Sequence, residues 1–277
     1  MTPNNPPASD ARPLLSVVTV NRNMADGLAH TIASVVQQDF LSLEYVVVDG
    51  ASTDDSVDVV KRNADGIDHW VSERDAGIYD AMNKGVSLAT GTWILFLNSG
   101  DTFVSNDVLR TVMATAKPDD DILYGDALVR YPAGAKRVAK AFEAKELSYG
   151  MICSHQALFA RRELLKAFPL TPGKIRSDYE FLLRCRTQKR TFHRVPVLIA
   201  EIEAGGLSDR RRMAVLRETV VLLRRGGLLG PRAALRLGLM FVWTAVGMMI
   251  KPLLSPRALD AARRYKVAIF GAGSAQS

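Results

Sequence analysis

Short apolar runs of strand length alternate, along the first third of the chain, with stretches whose apolar residues recur at helical spacing. The runs are Leu14 to Val20, Leu43 to Val48, Ile67 to Val71 and Trp93 to Leu97. Between them, Asp26 to Gln38 carries Leu28, Ile32, Val35 and Val36 on one stripe. Val57, Val59 and Val60 follow a Thr53 or Asp54 cap, and Ile78 to Leu88 predicts a third helix. Strand and helix alternating at this spacing predict a parallel, doubly wound sheet. Trp93–Leu97 contains no polar residue, so it predicts a central strand covered on both faces. It stops at Asn98-Ser99-Gly100-Asp101, and Leu43–Val48 stops in the same way at Asp49-Gly50-Ala51-Ser52-Thr53-Asp54. A core does not tolerate an unpaired carboxylate, whereas the crevice beyond the carboxyl ends of the strands is where open α/β sheets bind ligands. Asp49 and Asp101 therefore predict one shared crevice.

Further along, Ser154-His155-Gln156 precedes the short strand Ala157-Leu158-Phe159, which points His155 toward the same crevice. Ser177 to Arg184 predicts a helix with Phe181, Leu182 and Leu183 buried and Asp178 in its first turn. A carboxylate there complements the helix macrodipole. A strand at Val195–Ile199 leads to Glu201-Ile202-Glu203-Ala204-Gly205-Gly206-Leu207-Ser208, whose paired glycines predict a hinge that passes backbone close to a ligand.

Composition narrows the class. The 277 residues, 48% hydrophobic and 23% charged, suffice for one large core plus an appendage. Cys153 and Cys185 are too few for a disulfide framework and lack metal-ligand spacing. Residues 1–12 have no apolar h-region, so they predict a disordered leader on a cytoplasmic protein. The net charge of +7 is uneven: from Gly205 onward thirteen Arg or Lys face three acidic residues, which leaves residues 1–204 at −3. No aromatic residues interleave with these arginines, so the tail is a poor fit to nucleic acid. Leu237 to Ile250 carries no charge over 14 residues. As a helix that is about 21 Å, short of a hydrocarbon core of about 30 Å. With Arg224, Arg225, Arg232 and Arg236 before it and Arg257, Arg263, Arg264 and Lys266 after, it predicts an interfacial helix on an anionic membrane surface.

No Gly-x-Gly-x-x-Gly or Walker-type loop follows the first strand, so a diphosphate in the crevice needs another partner. A Mg²⁺ or Mn²⁺ held by Asp101 is economical, because such ions take one or two carboxylates plus phosphate oxygens.

Together, Ser16-Val17-Val18-Thr19-Val20, Val47 to Asp54 and Gly91 to Asp101 resemble the nucleotide-binding half of glycosyltransferase family 2, which has the GT-A fold. The resemblance is strong over about 14–115 and weaker to about 208. It implies a GT-A domain at 13–208 with an acceptor half over about 116–208; beyond Ser208 the resemblance stops, and the apolar and basic residues described above predict a helical, membrane-associating extension at 209–277. The resemblance also implies that Asp49 binds the nucleotide base and that Thr19, Asn21, Ser52, Asp75, Lys84, Asn98, Ser99 and Gly100 line the nucleotide sugar. Asp101 would be the metal-binding end of the family's DxD motif, with His155 beside the metal. Asp178 would be the general base of an inverting transfer, with Glu180 as the alternative. Members often read Asp-Ser-Asp-Asp where this chain has Asn98-Ser99-Gly100-Asp101, so only one carboxylate of the motif remains here. Met82 also stands where an arginine is common, which leaves Arg74 or Lys84 to supply a cation. The implied activity is hexosyl or N-acetylhexosaminyl transfer from a UDP-sugar to a glycan or a polyprenyl-diphosphate-linked acceptor. Its implied place is bacterial surface-polysaccharide biosynthesis at the cytoplasmic face of the inner membrane. The competing reading is a non-catalytic, membrane-associated sugar-nucleotide-binding protein. A nucleotidyltransferase is disfavoured, because no glycine- and lysine-rich loop follows Val20. Val267 to Ser274 resembles the start of a dinucleotide-binding unit with no helix to follow, and is read as a tail or extra strand.

Overall fold

The computed structural model describes residues 12–131, 134–206 and 211–250. The leader apart from Arg12, residues 207–210 of the predicted hinge segment, the basic residues after 250 and the 265–277 tail lie outside the described residues. The first four strands are β1 (Leu15–Asn21), β2 (Leu43–Asp49), β3 (His69–Ser72) and β4 (Trp93–Phe96), separated by α1 (Ala25–Val36), α2 (Ser56–Arg62) and α3 (Ile78–Leu88). They pair in parallel in the order β3-β2-β1-β4. The alternation of side chains along each strand sorts the core into two layers. Leu15, Val17, Tyr45, Val47, Trp93 and Leu95 face Leu28, Ile32 and Val35 of α1 and Val59 and Val60 of α2. Val18, Val20, Val46, Val48, Ile94 and Phe96 face Tyr79, Met82 and Val86 of α3. Each such fully buried aliphatic side chain stabilises the fold by roughly 1.5–3 kcal/mol.

After β4 the simple alternation ends. A long excursion carries β5 (Thr102–Phe103), α4 (Val108–Met113), β6 (Ile122–Arg130) and β7 (Lys136–Ala139) before β8 (Leu158–Arg161) returns beside β4. β8 runs antiparallel to both β4 and β6, because no helical crossover precedes it to reverse the chain. The sheet is therefore mixed, parallel in its N-terminal half, with the full order β3-β2-β1-β4-β8-β6-β9-β5 and β7 paired to β6. β9 (Phe192–Glu203) is longer than the predicted Val195–Ile199 and runs parallel to β6. Helices α5 (Arg162–Ala167) and α6 (Ser177–Thr187) cover the same face as α3.

The C-terminal part continues as α7 (Arg212–Arg225) and α8 (Pro231–Ile250). Leu216, Leu222 and Leu223 of α7 join the α6 side of the core. Glu218 accepts the Ile175 N–H at 3.1 Å, and Arg176 donates to Thr219 Oγ1 at 3.2 Å. The extension is thus fastened to the loop that enters α6. Helix α8 begins at Pro231 rather than at Leu237, since proline suits the first turn and Arg232 and Arg236 are compatible with a helix. Its 20 residues span about 30 Å, and residues 231–249 are long and apolar enough to cross a membrane.

Candidate active site

Parallel register brings three strand ends together: Asn21 lies opposite Asp49, and Asp49 opposite Ser72. Asp49 is fully buried, yet its carboxylate is saturated. Asn21 Nδ2 donates to it at 2.8 Å, Ser52 Oγ at 2.5 Å, the Ser52 N–H at 2.9 Å and Ser72 Oγ at 2.7 Å. Burial pushes this carboxyl up, but the hydrogen bonds from Ser52, Ser72 and Asn21 outweigh it and hold the group below the usual carboxylate range. The result is a fixed negative charge at the sheet edge. Asn21 Oδ1 is buried there with no partner. Gly50 allows the loop after β3 to close onto this tip: a Cβ on Gly50 would stand 2.3 Å from Oδ2 of Asp75. Asp75 is pinned in turn by the Gly77 N–H at 2.8 Å.

The turn after β4 continues the pairing with β1, the Ser99 N–H donating to Val20 O at 3.2 Å, so Asn98 and Ser99 stand at the same sheet edge as Asn21. Thr31 of α1 pins the turn by accepting the Gly100 N–H at 3.0 Å and donating to Asp101 O at 2.8 Å. Asp101 is 6% exposed. Its Oδ2 accepts Gln156 Nε2 at 2.7 Å, and its Oδ1 accepts the Glu203 N–H at 3.1 Å. Burial pushes its carboxyl up to about 6, against those two hydrogen bonds and the nearby His155, and Glu203 pushes the same way as burial. Asn98 Oδ1 and Ser99 Oγ are buried in this turn without partners.

Asp178 enters from the other half of the chain, at the start of α6. Tyr79 of α3 donates its hydroxyl to Oδ1 at 3.1 Å, and the Tyr179 N–H donates to the same oxygen at 2.8 Å. Oδ2 faces His155 Nδ1 at 3.5 Å. Burial pushes this carboxyl up, but His155, Arg176 and the Tyr179 N–H hold it below its ordinary range, so it is ionised at neutral pH. On its other side His155 meets Asn98 Nδ2 at 2.8 Å through Nε2. One contact chain, Asn98–His155–Asp178, therefore joins the Asp101 turn to the α6 carboxylate.

Not every predicted residue reaches this place. Thr19 is fully buried beneath the crevice, where its Oγ1 accepts the Tyr45 hydroxyl at 3.0 Å; two residues short of the tip, it points into the core layer. Lys84 spends its ammonium on Arg74 O at 2.6 Å and Glu73 at 2.7 Å, so it fastens the 73–77 loop to α3 instead of facing the crevice. Arg74 is exposed and, among the described residues, its side chain has no carboxylate partner. Both ring nitrogens of His155 are occupied, so ligating a cation would require giving up Asn98. Glu180 is held by Lys174 and by Arg184, the latter at 3.0 Å, which removes it as the alternative base. Gln156, Ser72, Tyr79 and Glu203 were not singled out as site residues by the sequence pattern. Gln156 had a signal, adjacency to His155; the others are placed by long-range contacts alone.

Among the described residues, no three His, Cys, Asp or Glu side chains form a ready metal centre. The turn still suits a hard divalent ion: a buried carboxylate with spare lone pairs sits beside two unpartnered buried oxygens, and every donor is oxygen. Phosphate oxygens and water would supply the remaining ligands.

Comparisons with known proteins identify the family and the fold. The model of the family described as "Glycosyl transferase family 2" matches residues 16–171. A PGL/p-HBAD biosynthesis glycosyltransferase of Mycobacterium bovis is 34% identical over 210 residues, covering 72% of this chain and 80% of that protein. Among solved structures, the mannosyltransferase PcManGT of Pyrobaculum calidifontis, in complex with GDP-Man and Mn²⁺, matches with a TM-score of 0.65 at 18% identity over 95% of this chain and 82% of that one. TarS 1–349 of S. aureus, in complex with UDP-GlcNAc, matches with a TM-score of 0.62 at 17% identity over 83% and 71%. At these identities the last two likenesses are of fold.

Proposed function

The chain belongs to glycosyl transferase family 2 and is a transferase of GT-A fold, and from that premise we propose a metal-dependent, inverting transfer of a sugar from a nucleotide diphosphate donor, a UDP-sugar being favoured. The acceptor is a hydroxyl of a glycan or of a polyprenyl-diphosphate-linked sugar. Residues 13–208 form the catalytic domain in this reading, with the donor on the 14–115 half and the acceptor on the 116–208 half. The observation that carries it is the contact chain from Asn98 through His155 to Asp178, which links a diphosphate-side turn to an ionised carboxylate.

Asp49 and its serine and asparagine partners hold the nucleotide end, as a rigid acceptor for base N–H groups. Asp101, with the unpartnered oxygens of Asn98 and Ser99, would hold a Mn²⁺ or Mg²⁺, which when bound would supply positive charge against the departing diphosphate. Asp178 takes the proton from the acceptor hydroxyl, kept ionised by its neighbours and oriented by Tyr79 and His155. A single displacement with one base inverts the anomeric centre. The two relatives of known ligand content, solved with GDP-Man and Mn²⁺ and with UDP-GlcNAc, support a nucleotide sugar as donor. A thermal-shift panel of UDP- and GDP-sugars with Mn²⁺ tests this. The expected result is one nucleotide class raising Tm only when Mn²⁺ is present, by about 2.7 kcal/mol of stability at a hundred times Kd. No shift with any of them would overturn the reading.

The raised Asp101 carboxyl sets a pH dependence. The folded protein holds this proton more tightly than the unfolded chain, so Asp101 costs stability as pH rises from about 4 to about 6. A cation must displace that proton. Mn²⁺-dependent donor binding is therefore expected to weaken about tenfold per pH unit below about 6, measured by calorimetry.

Helix α8 supports membrane docking of the extension. Ala233, Leu237 and Met240 are buried against the domain. Leu235, Leu239, Val242, Val246 and Met249 form one exposed apolar stripe on the other side. A helix held along one face by its own domain, with Arg224, Arg225 and Arg232 exposed nearby, lies on a bilayer rather than through it. That reading places the protein at the cytoplasmic face of the inner membrane, where a lipid-linked acceptor would be met. Removing residues from 209 onward is expected to move the protein from the membrane pellet to the supernatant.

A further inference from the structure

The turn that holds Asp101 offers one carboxylate where the Asp-Ser-Asp-Asp pattern offers three, and positions 98 and 100 are the ones that lack theirs. Glu203, the last residue of β9, comes to this turn from a hundred residues further along the chain. Its N–H donates to Oδ1 of Asp101 at 3.1 Å, so the end of β9 is fastened to that carboxylate. A Cβ on Gly100 would stand 3.9 Å from Oε2 of Glu203. The Glu203 carboxylate thus occupies the side toward which an aspartate at position 100 would project. Gly100 itself has φ +93°, a conformation that disfavours any L side chain. A carboxylate inside the turn and a glycine turn with a carboxylate from β9 are alternative solutions to the same need.

The surroundings of Glu203 point to a ligand rather than to a structural ion pair. Arg130 lies directly opposite Glu203 in the β6–β9 register, yet its guanidinium goes to Glu201, at 3.7 Å. Lys136 also goes to Glu201, at 2.8 Å. Among the described residues the exposed Glu203 carboxylate has no hydrogen bond or ion pair, although its own N–H is bonded to the Asp101 carboxylate, whose turn also carries the unpartnered Asn98 Oδ1 and Ser99 Oγ. A second carboxylate beside a turn that already holds a buried carboxylate and unpartnered oxygen donors is an arrangement that a divalent cation completes.

We propose that Glu203 supplies the second protein carboxylate for the donor-bound divalent cation, taking the part of the aspartate that position 100 lacks. This rests on the metal-dependent reading above.

The test is Mn²⁺ titration of the full-length protein in the presence of UDP, read from the electron paramagnetic resonance signal of free Mn²⁺. Wild type is expected to remove Mn²⁺ from solution. Glu203→Gln is expected to weaken Mn²⁺ binding about tenfold or more, with an unchanged melting temperature, because the side chain is exposed. Glu203→Asp falls between the two, and Glu201→Gln, whose parent is salt-bridged on the same strand, binds Mn²⁺ as wild type does. If wild type retains Mn²⁺ and Glu203→Gln retains it equally well, the proposal is overturned while the metal-dependent reading stands. If wild type itself binds no Mn²⁺ with UDP, that reading fails and takes the proposal with it.

Discussion

Asp178→Asn is expected to lower the transfer rate about a thousandfold or more while leaving Mn²⁺ and UDP binding and the melting temperature near wild type. The amide keeps the shape of the carboxylate and can still accept from Tyr79 and the Tyr179 N–H. It cannot take a proton from the acceptor hydroxyl. The loss belongs in kcat, since donor binding is carried by Asp49 and Asp101 on other elements. Should Asp178→Asn turn over at more than about a tenth of the wild-type rate, Asp178 is not the base.

Asp101→Asn is expected to act on the opposite side of the reaction. Removing the charge should weaken Mn²⁺-dependent UDP binding about a hundredfold and transfer with it. Without metal, the same variant should be at least as stable as wild type at pH 7. The wild-type carboxylate is ionised there although its folded pKa lies near 6, about two units above the unfolded value, a cost of about 3 kcal/mol. The asparagine avoids that cost and can still accept from Gln156 or the Glu203 N–H. Calorimetric binding and a melting curve together separate this from damage to the fold: lost binding with a large fall in Tm would mean that Asp101 is structural.

The two strand-tip aspartates were readable from the chain because the signal is local. A buried run, six residues in β2 and four in β4, ends in a polar turn, and parallel pairing of both strands with β1 carries the two turns to one edge. Asp178 was readable only through the family resemblance, since an acidic residue in a first helical turn has an ordinary electrostatic explanation. Tyr79 and Ser72 were not readable, and Gln156 and Glu203 were signalled only by their chain neighbours, because what places all four is tertiary. Ser72 becomes a partner of Asp49 through β2–β3 register. Gln156 reaches Asp101 because β8 returns antiparallel beside β4, and no periodicity announces that reversal. Thr19 shows the same limit from the other side: one position along a strand decides whether a hydroxyl lines a crevice or bonds within the core. In α8, an apolar count that began after the last arginine placed the helix start six residues late, because charge does not end a helix.

The account depends on side chains from separate strand ends meeting at one cation and one diphosphate. Crystals grown with UDP and Mn²⁺, measured at the manganese absorption edge, test that most directly. The predicted result is a single anomalous peak between the carboxylates of Asp101 and Glu203, contacting the UDP diphosphate, with the base against Asp49. Bound UDP with no peak at Asp101, or a peak remote from that turn, would contradict it.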